Sequence, residues 1–405
     1  MSAAGSFNTL DELDVDNRRV FVRVDFNVPL TDDATRGVRD DTRITAALPT
    51  LQALRQRGAK LVIASHLGRP KGKRVPELSL EPVGRRLAEL LDTDVRLPDE
   101  VVGDAATKLV SDLRAGQIVL LENLRWDAGE TSNDPKFSAA LASLADAYVN
   151  DAFGACHRAH ASVVGVPEIV GDKAAGRLLQ RELQTLGRVI SDPARPFVAI
   201  VGGAKVSDKL GVLVALVDRF VKGDCLIIGG AMANTFLAAQ KHELGASLME
   251  KDRFRDCTMV LDKAAARDVQ VVLPTDLRIA TSLDATAARV VGVGAGPLGA
   301  KEMALDVGPQ TAARCATVIG KAGTVLWNGP MGLFENPAFA EGTLEVARAV
   351  ARTPGMSVVG GGDSVAAVVQ AGVAEAIDHV STGGGASLEL LEGKTLPGVA
   401  ALSRA

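Results

Sequence analysis

Short runs rich in β-branched residues alternate with helical apolar patterns along almost the whole chain. Residues 20–24 and 61–64 are two such runs, and between them Ile44, Leu48 and Leu51 recur at the spacing of one helix face. This alternation is typical of βαβ units, in which a parallel sheet is covered by helices on both faces. It therefore predicts an α/β fold built on parallel sheets flanked by helices.

The chain is expected to divide into two α/β halves of similar size. Its 405 residues suggest roughly two or three domains at about 150 residues each. A helical pattern over residues 176–190 stops at Ser191, Asp192 and Pro193, because proline cannot continue a helix. We therefore expect a first domain at 1–175, a connecting helix at 176–192 and a second domain at 193–390. Further strands are predicted at 118–121, 147–149, 197–201, 226–228, 269–273, 324–327 and 357–359, and further helices at 207–222, 231–244 and 337–352.

The composition argues against nucleic acid and membrane as partners. Lys and Arg total 45 against 49 Asp and Glu, and aromatic residues make up 3%, whereas binding to nucleic acid favours a basic surplus and aromatic stacking platforms. The longest uncharged stretch, residues 225–240, is shorter than the ~20 apolar residues of a membrane span. Residues 1–8 lack the basic and apolar segments of a secretory signal, so we expect a cytoplasmic protein. The four cysteines show no metal-binding spacing and are expected to be free thiols.

Polar and cationic side chains follow the predicted strands of the first half. Ligands of open α/β sheets bind outside the carboxyl ends of the strands, so these positions are candidates for a site. The candidates are Asp25, Asn27, His66, Arg69, Arg125, His157 and Arg158, with Arg43 close to the start of the first predicted helix. Because guanidinium groups suit carboxylate and phosphate oxygens, this edge is expected to form a pocket for a small polyanion.

Glycines follow the predicted strands of the second half. The clusters are Gly202 and Gly203 with Lys205, Gly229 and Gly230, Gly329, Gly360 to Gly362 before Asp363, and Gly383 to Gly385. Glycine lets backbone amides approach a ligand closely, and a helix that begins directly afterwards directs free N–H groups towards phosphate. This edge is expected to bind the phosphates of a nucleotide.

These features also have simpler interpretations. A glycine pair after a strand is often only a tight turn, and a single arginine is often a solvated surface group. Asp363 fits the N-cap of a helix over 365–369, a ligand of Mg²⁺, or both roles together, since Mg²⁺ takes one or two protein carboxylates together with nucleotide oxygens.

A collinear series of motifs resembles the phosphoglycerate kinase family over essentially the whole chain. The motifs are RVDFNVP, SHLGRP, LLENLR, NDAFGACHRAH, VGGAKVSDK, WNGPMGLFE, GGGDS and STGGGASLELLEGKTLPGV. The resemblance implies reversible, Mg²⁺-dependent transfer of a phosphoryl group from 1,3-bisphosphoglycerate to ADP, which yields 3-phosphoglycerate and ATP in glycolysis. It also implies two Rossmann-like domains that close about a hinge helix, a tail from about residue 391 to 405 that returns to the first domain, and a monomer.

The resemblance also implies roles for individual residues. The 3-phosphoglycerate site would contain Asp25, Asn27, Arg43, His66, Arg69, Arg125 and Arg158. The nucleotide site would contain Gly203, Lys205, Lys209, Gly229, Asn328, Pro330, Glu335, Gly360, Gly361, Gly362, Asp363 and Ser364. Lys205 would touch the migrating phosphoryl group, Glu335 the ribose hydroxyls and Asp363 the Mg²⁺ ion, and catalysis would depend on Arg43, Lys205 and the amides around Gly384. Two departures stand out, since Ala304 replaces the family's usual glycine beside the adenine and Ser364 replaces a frequent threonine.

This chemistry needs no general base. The acceptor in the ATP-consuming direction is a carboxylate, which is ionised at neutral pH, so the protein has to supply position and positive charge. Two other classes stay open at this point. An NAD-dependent dehydrogenase would need Gly294, Gly296 and Gly299 to be a true GxGxxG turn, and a non-catalytic two-domain protein could close on an anion.

Overall fold

The computed structural model describes residues 7–31 and 36–403. The chain forms two compact units, which we name unit 1 (Met1–Gly187 with Thr395–Ala405) and unit 2 (Arg188–Lys394). The expected assignment of polyanion binding to the first domain and nucleotide binding to the second stays a prediction.

Unit 1 contains a parallel sheet of six strands in the order β3-β4-β2-β1-β5-β6. The strands are β1 (Arg19–Val24), β2 (Lys60–Ala64), β3 (Val95–Arg96), β4 (Ile118–Leu120), β5 (Ala147–Asp151) and β6 (Lys173–Ala175). In the central strand, Val20, Val22 and Val24 belong to the hydrophobic core. The apolar runs therefore become buried parallel strands, as the sequence predicts.

Helices flank the sheet of unit 1 and connect its strands. They are α1 (Thr42–Gln56), α2 (Glu81–Leu91), α3 (Asp104–Ser111), α4 (Ala128–Ser132), α5 (Pro135–Ala142), α6 (Val166–Ile169) and α7 (Arg177–Ser191), which contains the boundary between the two units. Local sequence explains their starts. At α5, for example, Asp134 accepts the N–H groups of Lys136 and Phe137 at 2.9 Å, and Pro135 occupies the first helical position.

Unit 2 contains a second parallel sheet of six strands in the order β15-β14-β13-β7-β8-β9. The strands of unit 2 are β7 (Phe197–Val201), β8 (Cys225–Ile228), β9 (Gln270–Val272), β10 (Asp276–Ala280), β11 (Arg289–Gly292), β12 (Met303–Val307), β13 (Thr324–Asn328), β14 (Met356–Gly360) and β15 (His379–Val380). Its helices are α8 (Leu210–Arg219), α9 (Gly230–Ala239), α10 (Phe254–Ala266), α11 (Pro309–Ile319), α12 (Glu341–Ala351), α13 (Gly362–Gln370) and α14 (Gly385–Leu391), and the chain then returns to unit 1 with α15 (Pro397–Ala400). The predicted α/β class is confirmed.

Unit 2 also carries a small antiparallel sheet that the sequence patterns do not predict. Its order is β11-β10-β12, with a small apolar cluster that includes Leu277 and Ile279. The outer strand β11 is largely exposed and lies within residues 288–293, where the sequence allows a strand before the GxGxxG segment. The GxGxxG segment follows β11 as turns, and no helix begins before β12. A dinucleotide turn needs a helix there, so the dehydrogenase interpretation is wrong.

Three predicted helices are shorter than expected, and the one expected over 207–222 is confined to α8 (Leu210–Arg219). The helix expected over 231–244 ends at Ala239, and Lys241 has a φ of +72°, which a helix cannot accommodate. The helix expected over 337–352 is split, because a 3₁₀ turn at Pro337–Phe339 precedes α12. All four cysteines are buried and free, which confirms the expected thiols. No helix within 7–31 and 36–403 has the length and apolar character of a membrane span.

Candidate functional site

The exits of β1 and β2 and the start of α1 meet at one edge of the sheet in unit 1. Arg43 Nη1 donates to Asp25 Oδ2 at 2.8 Å, and Asp25 Oδ1 lies 3.9 Å from His66 Nδ1. Asn27 Oδ1 accepts the N–H of Gly68 at 2.8 Å. Arg43, Asp25 and His66 thus lie together, and Asn27 contacts Gly68, the residue before Arg69. They meet because the carboxyl ends of parallel strands share one edge of the sheet.

Arg125 reaches the same edge from the exit of β4. Asn123 Oδ1 accepts the N–H groups of Arg125 and Leu67, both at 3.1 Å, and so shapes the short 3₁₀ turn that carries Arg125. Arg125 Nη1 donates to the carbonyl of Gly68 at 2.7 Å. Its Nε is buried and has no hydrogen-bond partner among the described residues. A buried donor without a partner is costly, so Arg125 is arranged for an acceptor that a ligand can bring.

The electrostatics of this edge are those of an anion site. Burial lowers the pKa of His66 well below its usual value, and the positive charges of Arg23, Arg125, Arg158 and Arg43 lower it further. Burial, together with Arg158 and Arg23, lowers the pKa of Arg125 to about 10. Both shifts reflect burial first and neighbouring guanidinium groups second, and a polyanion would offset the repulsion between those groups.

Arg23 belongs to this cluster although the sequence motifs do not assign it. It is fully buried on β1, its Nη2 lies 3.1 Å from His66 Nδ1, and its Nε donates to Ser162 Oγ at 2.8 Å. A guanidinium can only donate, so His66 Nδ1 accepts and the imidazole proton lies on Nε2. Ser162 Oγ in turn donates to the fully buried Glu130 at 2.7 Å. The signal in the sequence is an arginine between apolar residues, since Arg23 interrupts the apolar run VFVRV that follows Arg19.

Arg158 and Arg69 are less tightly held. Arg158 is half-buried and its Nε donates to His157 Nε2 at 3.0 Å. Arg69 is exposed, and within the described part of the chain its side chain forms no hydrogen bond or ion pair. Both have cationic ends that are available to a bound anion.

In unit 2 the exits of β7 and β13 are joined by backbone hydrogen bonds. Gly202 donates to the carbonyl of Asn328 at 3.0 Å, Gly203 to that of Pro330 at 3.1 Å, and Gly230 to that of Met331 at 2.8 Å. A Cβ at Gly202 would overlap the carbonyl of Pro330, so this close approach requires glycine.

A lysine, an asparagine and a serine complete this part of unit 2. Lys209 immediately precedes α8 and donates to both oxygens of Asn328, while Ser364 Oγ accepts the N–H of Gly329 at 2.5 Å. The retained hydroxyl at Ser364 therefore has a structural partner. Burial lowers the pKa of Lys209 to about 8, whereas the negative charges of Asp363 and Asp208 act in the opposite direction.

Asp363 is the second residue of α13, and the helix is capped at Gly361 without any side-chain hydrogen bond. The alternative role of Asp363 as an N-cap is therefore wrong. Its carboxylate is exposed, close enough to influence Lys209, and forms no hydrogen bond within residues 7–31 and 36–403. No group of three or more His, Cys, Asp or Glu side chains in the described chain could hold a metal alone. One free carboxylate suits Mg²⁺ that also binds nucleotide oxygens.

Four other predicted residues lie on separate loops or strands. Lys205 and Glu335 are exposed after β7 and β13. Gly384 precedes α14 with a φ of +50°, in the left-handed region that favours glycine. Ala304 is buried on β12, where its N–H donates to Ser247 Oγ at 2.8 Å.

Comparison with known proteins decides the family. A sequence model described as phosphoglycerate kinase matches residues 10–394. The chain belongs to the phosphoglycerate kinase family. The phosphoglycerate kinase of Moorella thermoacetica is 55% identical over 396 residues, covering 98% of each chain. That of Anaeromyxobacter sp. strain K is 53% identical over 400 residues, covering 98% of this chain and 99% of the relative.

Solved structures of the family agree. The structure of phosphoglycerate kinase from Coxiella burnetii has a TM-score of 0.86 at 40% identity and covers 98% of this chain and 99% of its own. The crystal structure of the enzyme from Pyrococcus horikoshii has a TM-score of 0.84 at 32% identity and covers 98% of each chain. The predicted family and fold are confirmed, and the chain is a phosphotransferase with small-molecule substrates and ATP and ADP as co-substrates.

Proposed function

We propose how the two units share the phosphoglycerate kinase reaction, in which a phosphoryl group moves reversibly from 1,3-bisphosphoglycerate to ADP. Unit 1 binds the glycerate and unit 2 binds the nucleotide. The observation that carries this division is the guanidinium cluster around His66, which has no counterpart among the glycine-rich strand exits of unit 2. The enzyme works as a cytoplasmic monomer, as the family resemblance implies.

In unit 1 the substrate's anionic groups bind to the arginines. Arg125 offers its unpartnered Nε, and Arg158 and Arg69 offer cationic ends from neighbouring strand exits. Asp25 and Asn27 accept or donate hydrogen bonds at the glycerate hydroxyl, which distinguishes a hydroxy acid from a simple phosphate ester. His66 stays neutral, because burial and then the surrounding positive charges lower its pKa, and it acts only as a hydrogen-bonding group.

In unit 2 the backbone binds the nucleotide's phosphates. Amides around Gly203 and at the start of α13, from Gly360 to Gly362, face the phosphate oxygens, and the cation of Lys209 lies beside them. Glu335 binds the ribose hydroxyls. Gly229, Asn328 and Pro330 shape the loop, and Ser364 holds Gly329.

Asp363 would hold Mg²⁺ together with phosphate oxygens, and the ion supplies positive charge that offsets the charge spreading over the transferred group. Arg43, Lys205 and the amide of Gly384 provide the remaining stabilisation. The acceptor carboxylate is already ionised, so no residue has to remove a proton. The reacting oxygens have to approach to about 3–3.5 Å with water excluded, which we infer requires domain closure when both substrates are bound.

The experiment is a coupled assay for ATP-dependent formation of 1,3-bisphosphoglycerate from 3-phosphoglycerate. We expect turnover that requires Mg²⁺ and both substrates. Binding of each substrate alone, measured by calorimetry on variants in one unit at a time, tests the division of labour. If variants at Arg125 weaken ADP binding and leave 3-phosphoglycerate binding unchanged, the assignment of the units is wrong.

A further inference from the structure

The loop after β13 carries two of the proposed nucleotide-binding residues, Pro330 and Glu335. We name residues 329–336 the nucleotide loop. On the side of the parallel sheet, Pro330 accepts from Gly203, Met331 accepts from Gly230, and Gly329 donates to Ser364. These contacts hold the beginning of the loop, but they leave the segment leading to Glu335 to be fixed from elsewhere.

The small antiparallel sheet and α12 hold that segment. Leu333 donates its N–H to the carbonyl of Leu305 on β12 at 2.8 Å. Met331 donates its N–H to Thr343 Oγ1 in the first turn of α12 at 3.0 Å. The nucleotide loop is therefore enclosed by β12 on one side and by the start of α12 on another.

Asp306 lies where these three elements meet. Its side chain is completely buried, and Oδ2 accepts the N–H of Gly342 in α12 at 2.8 Å. Oδ1 lies against Gly332 of the nucleotide loop, so closely that a Cβ at Gly332 would overlap it and would lie 2.7 Å from Asp306 Cα. The carboxyl group thus contacts both the loop and the helix.

This carboxyl group is poorly compensated for a buried one. Oδ1 has no hydrogen-bond partner among the described residues, and the nearest cation, Arg278 on β10, lies 3.8 Å from Oδ2. Burial raises its pKa to about 7, with Arg278 acting to lower it and Glu341 acting to raise it further. Burying such a group costs stability, so an apolar residue would serve better if Asp306 only filled space.

We propose that Asp306 is a positioning residue for the nucleotide: it sets the path of the nucleotide loop through Gly332 and thereby places Glu335 for the ribose. The proposal rests on the proposed function of unit 2. It adds a residue that touches no substrate and acts through the loop. The hydrogen bond from Gly342 also joins the Asp306 carboxyl group to α12. The nucleotide loop and the start of α12 therefore keep one relative position.

The test compares binding of ADP with Mg²⁺ and of 3-phosphoglycerate to purified full-length variants by calorimetry. Asp306→Ala should weaken ADP binding by at least about fivefold, the scale of one lost buried hydrogen bond, and leave 3-phosphoglycerate binding unchanged. Asp306→Asn keeps the volume and an acceptor for Gly342, so it should retain ADP affinity within about threefold.

Asp276 provides a matched control for loss of stability. It is a buried carboxylate on β10 that caps α11, accepting from Gln310 and Thr311 at 3.0 and 2.8 Å. Asp276→Ala should lower the melting temperature without weakening ADP binding. If Asp306→Ala does not fold, Gly332→Ala disturbs the same contact from the loop side, leaves every charge in place and should also weaken ADP binding.

The outcomes separate the two proposals. Equal ADP affinity in the Asp306→Ala and Asp276→Ala variants, or unchanged affinity in Gly332→Ala when Asp306→Ala is unfolded, overturns the positioning role. A wild-type chain that binds no ADP overturns the proposed function instead. Weakened ADP binding in Asp306→Ala, recovered in Asp306→Asn, supports the role of Asp306.

Discussion

Lys209 Nζ donates to both the backbone and the side-chain oxygen of Asn328, at 3.0 and 2.5 Å. This pair joins the residue before α8 to the last residue of β13, so two separate strand exits share one cation. Two oxygen acceptors and the nearby charge of Asp363 only partly replace the water that Lys209 has lost, and its pKa falls to about 8. An ammonium in this state is ready to bind further anionic oxygens.

The pKa of about 8 at Lys209 predicts that the affinity for ADP depends on pH. Phosphate oxygens favour the charged lysine, so binding should raise the pKa of Lys209 and take up protons. Affinity should therefore fall as the pH rises through about 8. Calorimetry between pH 7 and 9.5 measures this, and Lys209→Arg, which stays charged, should flatten the profile. A flat wild-type profile would contradict the assignment of Lys209.

Lys205→Ala should leave the fold intact and lower turnover by at least about 100-fold, the scale of one lost electrostatic contact in a transition state. Lys205 is exposed, so its removal creates no cavity. The coupled assay and a melting curve measure the two effects. Lys222→Ala is the control, since Lys222 is an exposed partner of Asp268 at 2.6 Å. Near-normal turnover in Lys205→Ala would remove this residue from the mechanism.

Asp363→Ala should weaken Mg²⁺-dependent ADP binding and spare 3-phosphoglycerate binding. Its carboxylate caps no helix, so the melting temperature should change little. Titration of ADP with and without Mg²⁺ measures the change, and Asp262→Ala on the exposed face of α10 is the control. If the gain in ADP affinity from Mg²⁺ persists in Asp363→Ala, the ion is held by other groups.

Arg125→Met should weaken 3-phosphoglycerate binding by at least about tenfold, because it removes a charged, buried donor whose Nε has no partner in the part of the chain that the structure describes. Arg55→Met is a matched control. Arg55 is a partly buried arginine of unit 1 whose hydrogen bonds, within residues 7–31 and 36–403, go to the backbone carbonyls of Gly116 and Leu91 at 3.2 Å. It should lower stability and leave the affinity for 3-phosphoglycerate unchanged. Equal losses of affinity in both variants would argue against a ligand at Arg125.

The lowered pKa of His160 predicts that unit 1 loses stability in mild acid. Burial lowers its pKa to about 4, and the charges of Arg125, Arg23, Arg158 and His157 contribute. Between the unfolded value of about 6.5 and the folded value of about 4, the unfolded state binds more protons, so the free energy of unfolding decreases as the pH falls. At pH 5.5 this loss is about 1.4 kcal/mol relative to neutral pH.

The measurement is urea unfolding at pH 7.5 and 5.5 in a Trp327→Phe background, in which Trp126 reports on unit 1. The His160→Gln variant should lose about 1.4 kcal/mol less than its parent over this range, because groups common to both cancel. Identical losses would show that His160 does not titrate between the two states.

Much of this fold could be predicted because the information is local. Runs such as FVAIV at β7 are apolar throughout, and a strand that is buried on both faces has no other pattern. The strand exits then follow from the order of elements, so the residue pattern alone is enough to expect His66 and Arg125 at one edge of a sheet. The small antiparallel sheet could not be predicted in this way. The sequence allows a strand at 288–293, but the pairing of β11 with β10 depends on a segment that its own sequence does not specify.

The sequence by itself determined the α/β class, the segregation of arginines and glycines to different halves, and the family, since these depend on residue types in a fixed order. Only the tertiary structure decided that Arg23 contacts His66, that Lys209 contacts Asn328, and that Asp306 lies against Gly332. The physical reason is distance along the chain. Such contacts exist only after folding has buried both partners, and the cost or gain of each depends on neighbours that no local pattern contains.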